Sequence, residues 1–276
     1  MTAIPYWHVD AFASRPFEGN QAAVMLLDEW LPDDVLIAIG EENNFAETAF
    51  IVRDESGEAD WELRWCTPTY EIALCGHATL ASGHVVLNDE LGSAQADRVR
   101  FRTRKSGILE VARAGDGYEL GLPLIETAPD GWPEAVALLG AEPREVWRNP
   151  DRYGIYLFDS EDQVRALDPD LRGLRALGND QFICTAPGDP GSGTGAGTDA
   201  VSRVFVPGGG VDEDSFTGSA HAALTHFWTE RLGRDSFTAY QASQRGGYAT
   251  CRREGDRAIL GGPCVTVVEG RFYLTG

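Results

Sequence analysis

One pattern occurs twice in this chain and constrains its fold more than any other feature. The first copy runs from Arg64-Trp65-Cys66-Thr67-Pro68 to Cys75-Gly76-His77-Ala78, and the second from Arg203-Val204-Phe205-Val206-Pro207 to Thr217-Gly218-Ser219-Ala220. Each copy predicts a strand that ends at a proline, a loop with acidic residues, and an apolar helix opened by glycine. The copies are 139 residues apart at the arginines and 142 at the helix glycines. This shared order of elements favours an internal duplication.

The two predicted helix starts indicate a site for an anion. The first backbone N–H groups of a helix have no partner within the helix, and the helix dipole is positive at that end. Two such ends that face each other would hold an anion.

Length and composition limit the class of protein. The chain has 276 residues, of which 43% are hydrophobic, so it can form one large domain or two of about 140 residues. The duplication favours two, with an N-terminal lobe over residues 1–125 and a C-terminal lobe over 126–276, whose last strand crosses back to the first lobe.

Charge and cysteine content exclude several partners. The formal net charge of -20 argues against a nucleic acid or an anionic membrane as partner. The five cysteines are scattered, odd in number and never in a CxxC arrangement, which is typical of a reducing compartment without structural zinc. Neither a signal-peptide pattern nor an apolar run of about 18 residues is visible. We therefore expect a cytoplasmic protein.

Two motifs associated with cofactors or covalent catalysis are weak. Lys105 is the single lysine, and it lies in a predicted strand turn, which disfavours both a Schiff base and a P-loop. The glycine-rich stretch 191–197 resembles a dinucleotide loop, but a strand follows it where a helix would be needed. We interpret this stretch as a mobile linker. The five histidines form no HExxH-type motif, so we expect no metal site.

Two acidic residues, Glu47 and Asp214, are candidates for a catalytic role because of their positions in the sequence. Glu47 lies in the apolar run 45–52, at the start of a predicted strand. A carboxyl group buried there would have a raised pKa and could exchange protons with a carbon acid near neutral pH. The alternative is a glutamate on an edge strand that points to water. Asp214 precedes the second helix, where Asp214 or Ser215 could also serve as a helix cap.

Four short motifs, in this order, resemble the PhzF-like isomerases of phenazine biosynthesis. They are Val9-Asp10-Ala11-Phe12 with Arg15-Pro16-Phe17-Glu18-Gly19-Asn20; Glu47-Thr48-Ala49-Phe50; Thr67-Pro68 with Cys75-Gly76-His77-Ala78-Thr79-Leu80-Ala81; and Asp212-Glu213-Asp214 with Thr217-Gly218-Ser219-Ala220. Each motif is weak by itself, but together they span almost the whole chain. This family shares its fold with diaminopimelate epimerase.

The resemblance implies an α+β fold of two pseudo-symmetric lobes. Each lobe would be a curved, mostly antiparallel, barrel-like sheet around a central helix, here opened by Gly76 or Gly218. The active site would lie in the cleft between the lobes, and the protein would form a homodimer. Such a site needs no cofactor and no metal.

The resemblance also implies roles for individual residues. Glu47 corresponds to the acid/base that moves a proton between carbons of a cyclohexadiene carboxylic acid, assisted by His77, Asp214 and Ser219. The residues expected to contact the substrate are Asn20, Ala46, Cys75, Gly76, Thr217 and Gly218.

The chain departs from the family pattern at Cys75, where the phenazine isomerases have a small residue. Two-cysteine epimerases carry a cysteine at each helix start, but Thr217 occupies the second place here, and a hydroxyl is too weak an acid to replace a thiol. We expect a cofactor-independent isomerase that acts on a small carboxylate in a biosynthetic pathway. Two alternatives stay open: an amino-acid epimerase using Cys75 with Glu47, and a ligand-binding protein or pericyclic catalyst on the same fold.

Overall fold

A computed structural model describes residues 2–88, 96–189 and 195–274. In the first part of the chain the elements are β1 (Thr2–Ala11), β2 (Asn20–Leu26), α1 (Asp33–Asn43), β3 (Glu47–Arg53), β4 (Trp61–Cys66), β5 (Glu71–Ile72), α2 (Gly76–Asn88), β6 (Arg98–Thr103), β7 (Ile108–Ala114) and β8 (Gly117–Pro123).

The later elements are β9 (Ala128–Pro129), α3 (Pro133–Leu139), β10 (Glu145–Arg148), β11 (Tyr153–Leu157), α4 (Glu161–Arg165), α5 (Leu171–Leu177), β12 (Gln181–Pro187), β13 (Ala200–Val206), β14 (Val211–Glu213), α6 (Gly218–Leu232), β15 (Ser236–Gln241), β16 (Gly247–Glu254), β17 (Arg257–Gly262) and β18 (Cys264–Leu274). Most of the predicted linker 191–197 lies outside the described residues. None of the helices described here is both long enough and apolar enough to cross a membrane.

The chain divides into two compact units. Unit 1 consists of Met1–Gly121 and Gly261–Gly276, and unit 2 of Leu122–Leu260. The predicted lobes, residues 1–125 and 126–276, stay a prediction.

In unit 1 the strands form a mostly antiparallel sheet. Antiparallel pairs join β1 to β18, β1 to β2, β3 to β4, β4 to β5, β6 to β7 and β7 to β8. The pairs β2–β3 and β4–β6 are parallel. The first parallel pair needs a crossover, which α1 supplies, and the second contains α2.

Unit 2 repeats this pairing in the same order. Antiparallel pairs join β9 to β10, β10 to β11, β12 to β13, β13 to β14 and β15 to β16. The pairs β11–β12 and β13–β15 are parallel. Each unit therefore has the predicted organisation of a mostly antiparallel sheet with one long buried helix.

The strand register shows the duplication residue by residue. Phe50 lies opposite Arg64 in unit 1, and Cys184 lies opposite Arg203 in unit 2. Cys66 lies opposite Glu71, just as Phe205 lies opposite Glu213. The acidic residues of the two loops are therefore equivalent. In both units they bind the repeated arginine through both carboxylate oxygens, at 2.6–2.9 Å for Arg64 and Glu71 and at 2.7–2.9 Å for Arg203 and Glu213.

The long helices α2 and α6 are buried on nearly all sides. Every residue from Gly76 to Leu87 is buried, as are most residues from Gly218 to Thr229. Helices that are apolar all round belong in a core. Their hydroxyl groups are satisfied within the helix, since Ser82 donates to the carbonyl of Ala78 and Thr225 donates to that of His221. This back-bonding lets polar residues lie in the core.

Gly83 lies in the middle of α2, where glycine disfavours a helix. A Cβ atom on this residue would lie 2.4 Å from the side chain of Val111 on β7. The glycine therefore allows the helix backbone to approach the sheet closely.

Candidate active site

Glu47 and His77 form an acid–imidazole pair in unit 1. Glu47 is the first residue of β3, and His77 is the second residue of α2. Oε2 of Glu47 lies 3.1 Å from Nε2 of His77, and the side chains are 16% and 5% exposed. Of the two interpretations of Glu47, the structure thus places the carboxylate against a buried imidazole rather than in water.

The other edge of the imidazole has two polar neighbours. Nδ2 of Asn20 lies 3.3 Å from Nδ1 of His77, and Sγ of Cys75 lies 3.6 Å from the same nitrogen. Asn20 begins β2, which runs parallel to β3. Two strands and the start of α2 therefore bring Asn20, Glu47, Cys75 and His77 into one cluster.

The thiol of Cys75 is protonated at neutral pH. Burial, and next the negative charge of Glu47, raise the pKa of this thiol to about 11. A thiol in this state is a poor nucleophile and a poor base.

The neighbours of His77 favour the charged form of its imidazole. Burial disfavours its charged form, but the sulfur of Cys75 and the carboxylate of Glu47 favour it, and its pKa lies well above the ordinary value for histidine. Because Cys75 stays a thiol at neutral pH, we attribute the raised pKa of His77 to the Glu47 carboxylate. The Glu47 carboxylate thus favours the protonated form of the imidazole.

Glu47, Cys75 and His77 offer three potential metal ligands within 4.8 Å of one another. The sulfur, however, lies beside Nδ1 of the ring, whereas the carboxylate lies beside Nε2. A single ion takes the lone pair of one ring nitrogen only. An imidazole placed between its neighbours in this way suits proton exchange better than chelation.

Unit 2 carries a second polar cluster at the equivalent position. Nε2 of Gln181 donates to Oγ of Ser219 at 3.0 Å, and Ser219 is also hydrogen-bonded to the Tyr153 hydroxyl. Gln181 begins β12 as Glu47 begins β3, and Ser219 is the second residue of α6 as His77 is of α2. The two contacts are equivalent under the duplication.

The start of α6 is held by Gln241, which is fully buried. Its Oε1 accepts from the N–H of Thr217 at 2.9 Å, and its Nε2 donates to the carbonyl of Asp214 at 2.7 Å. The Thr217 hydroxyl donates to Asp214 Oδ2 at 2.6 Å and caps no helix N–H. The N-cap residue is Thr217, so the interpretation of Asp214 or Ser215 as the cap is wrong.

The predicted site residues fall into two groups. Unit 1 contains Asn20, Ala46, Glu47, Cys75, Gly76 and His77, with Ala46 in the turn before β3; unit 2 contains Asp214, Thr217, Gly218 and Ser219. Sequence reasoning missed Gln181, Tyr153 and Gln241. Gln181 begins the buried strand before Arg203 as Glu47 begins the strand before Arg64, and this parallel was the available signal.

Comparison with known proteins identifies the class. A family model described as phenazine biosynthesis-like protein matches residues 9–270. An uncharacterized isomerase of Pseudomonas aeruginosa is 43% identical over 99% of both chains. The crystal structure of a PhzF family protein from Enterococcus faecalis is 39% identical with a TM-score of 0.89, over 99% of this chain and 100% of that one.

A hydroxyproline epimerase from Agrobacterium vitis shares the fold, with a TM-score of 0.61 at 13% identity over 98% of this chain and 92% of that one. The predicted α+β, diaminopimelate epimerase-like fold class is confirmed. With this fold and with relatives named as isomerases, the protein is an isomerase. The chain belongs to the phenazine biosynthesis-like, or PhzF, family.

Proposed function

We propose that this isomerase moves a proton between two carbons of a small carboxylated substrate, with Glu47 as both acid and base. The contact between Glu47 and His77 at 3.1 Å carries the proposal. Among the described residues, neither Glu47 Oε2 nor His77 Nε2 has a hydrogen bond of good geometry. Both atoms are buried, and each has the other as a polar neighbour.

The proposed reaction is balanced without a redox partner. The Glu47 carboxylate removes a proton from a substrate carbon, and the electron pair of that C–H bond spreads into the adjacent double bonds and carboxylate. The protonated Glu47, which is 16% exposed, exchanges its proton with solvent and then delivers a proton to another carbon of the same conjugated system. The double bonds shift, and the carboxylate of Glu47 is regenerated.

The neighbouring groups have supporting roles in this proposal. Positively charged His77 stabilises negative charge that develops on the substrate. The N–H group of Gly76, at the start of α2, hydrogen-bonds the substrate carboxylate. The participation of Asp214, Thr217, Gly218 and Ser219 in the same reaction stays a prediction, as do a homodimer and substrate contacts with Asn20 and Ala46.

The state of Cys75 supports this mechanism over epimerisation by a thiol. An epimerase needs a thiolate or a readily ionised thiol, whereas the pKa of Cys75 is raised to about 11. Its position beside Nδ1 of His77 fits a packing role against the ring.

The test uses cyclohexa-2,5-diene-1-carboxylate, whose C1–H is doubly allylic and α to the carboxylate. Proton transfer from C1 to C3 gives the conjugated 1,5-diene, which ultraviolet absorbance detects. We expect Glu47→Gln to lower the rate by about 10²–10⁴-fold and Cys75→Ala to retain activity. The exposed Glu58 supplies the matched control, Glu58→Gln.

The outcomes separate the alternatives. Equal rates for Glu47→Gln and Glu58→Gln would refute the role of Glu47. Loss of activity in Cys75→Ala, with the protein still folded, would favour an epimerase mechanism.

A further inference from the structure

The strand register identifies Gln181 as the equivalent of Glu47. Glu47 lies opposite Ala22 at the start of the parallel pair β2–β3, and Gln181 lies opposite Tyr153 at the start of β11–β12. Both residues contact the second residue of the long helix in their unit. The duplication has therefore kept this contact in both units.

The chemistry of the contact differs between the units. A carboxylate beside an imidazole can accept and return a proton. An amide beside a hydroxyl does not titrate near neutral pH, so Gln181 and Ser219 can only exchange hydrogen bonds. Unit 2 thus has the geometry of the Glu47–His77 pair without its capacity for proton transfer.

Two contacts join Ser219 to Gln181. In the shorter, at 3.0 Å, the amide Nε2 donates to the Ser219 hydroxyl, and in the longer, at 3.4 Å, the hydroxyl donates to Oε1. A serine hydroxyl has one proton and two lone pairs. The longer contact is weak, because 3.4 Å exceeds the usual O–H···O distance. An acceptor on a ligand can therefore compete with Gln181 Oε1 and the neighbouring Tyr153 for the Ser219 proton.

Gln181 is itself held in place by the sheet. Its backbone N–H donates to the carbonyl of Arg152 at 2.9 Å, and its strand continues into the buried residues Phe182–Ala186. The amide therefore reaches Ser219 from a rigid element, as a group that positions another requires.

We propose that Gln181 is a positioning residue for the isomerase, which orients the Ser219 hydroxyl to donate to the substrate. The proposal rests on the proposed function in one respect, since it requires that Ser219 contacts the substrate.

The test is a double-mutant cycle on Gln181 and Ser219. Gln181→Glu keeps the size of the side chain but removes the donor, and Gln181→Met removes the hydrogen bonds altogether. We measure kcat and KM for cyclohexa-2,5-diene-1-carboxylate, the Kd for benzoate as a planar carboxylate probe, and the thermal unfolding temperature.

We expect Gln181→Glu, Gln181→Met and Ser219→Ala each to raise KM and the benzoate Kd by about tenfold, the effect of one lost hydrogen bond of about 1.4 kcal/mol. The double variant Gln181→Glu with Ser219→Ala should have the same KM and benzoate Kd as Ser219→Ala alone, because the two residues act as one unit. kcat should change less than KM, since the lost contact is a binding contact.

Three results would overturn the proposal. The effects of Gln181→Glu and Ser219→Ala could multiply, which would mean that they act independently. Alternatively, Gln181→Glu could leave the KM and the benzoate Kd of the wild type unchanged, or the wild type could fail to bind benzoate. A purely structural Gln181 would lower the unfolding temperature without a change in KM.

The benzoate measurement separates this proposal from the proposed function. Binding of benzoate requires no proton transfer, so the cycle can be completed even if Glu47→Gln retains full activity. In that case the proposed role of Glu47 would be refuted, and the benzoate Kd values would still test the coupling of Gln181 to Ser219.

Discussion

The duplicated arginine–glutamate pair gives a direct test of the fold. In unit 1 the Arg64 side chain is only 2% exposed, and Glu71 is 18% exposed. Nε and Nη2 of Arg64 contact both carboxylate oxygens of Glu71, at 2.9 and 2.6 Å. Glu71→Gln keeps the shape of the side chain and removes the charge opposite the guanidinium.

Removal of one partner from a buried ion pair destabilises a protein by about 3–5 kcal/mol. Asp33 also contacts Nη2 of Arg64, at 2.7 Å, and remains in the variant. We therefore expect the lower end, about 3 kcal/mol. For a chain of this size that loss corresponds to a fall of about 6–12 °C in unfolding temperature.

The assay is urea and thermal unfolding, followed by tryptophan fluorescence and circular dichroism. Asp33→Asn is the control. Asp33 contacts the same Arg64 guanidinium, but its side chain is 63% exposed. We expect a smaller loss for Asp33→Asn than for Glu71→Gln. Glu213→Gln should produce the corresponding loss in unit 2, where Arg203 is 14% exposed.

The reasoning would be refuted if Glu71→Gln lowered the free energy of unfolding by less than Asp33→Asn does. In that case the register-paired glutamate would not be the main partner of the buried arginine.

Two further predictions concern the packing and the protonation of the core. Gly83→Ala should destabilise unit 1 by about 1–3 kcal/mol, because the new methyl group would lie 2.4 Å from Val111. Adding Val111→Ala to this variant should partly restore its stability. A higher unfolding temperature for Gly83→Ala than for the wild type would contradict the close packing. Burial lowers the pKa of His84 and of His221 to about 4. Between about pH 6.5 and pH 4 the unfolded chain therefore binds more protons than the folded protein does. The free energy of unfolding falls as the pH falls, by up to about 3 kcal/mol for each histidine. Replacement of either histidine by glutamine should flatten this dependence in urea unfolding, and an unchanged slope would show that the histidine is not buried in its neutral form.

The sequence predicted the duplicated strand–loop–helix unit and the buried helices because their patterns are local. Period-two strands that end at a proline and a glycine-opened apolar helix are visible in any one stretch of chain. The short strands β5 and β14 were not predicted, since two or three residues show no periodicity. They place Glu71 and Glu213 opposite the repeated arginines, which explains the acidic residues of the loops.

The candidate site was predicted in part. Motif matching named Asn20, Glu47, Cys75 and His77, and the structure brings these four residues together. Gln181 was missed because its role depends on register between strands that are distant in sequence. The state of Cys75 also required the structure, since the pKa of a thiol follows from its burial and its neighbours.

Solvent-deuterium incorporation is the most direct test of Glu47 as the acid and base. Cyclohexa-2,5-diene-1-carboxylate is incubated in D₂O with the wild type and with Glu47→Gln. Deuterium at C3 of the product and at C1 of the remaining substrate is measured by NMR. The mechanism predicts deuterium in the wild-type reaction and almost none with Glu47→Gln, at equal unfolding temperatures. Equal incorporation by the two proteins would contradict it.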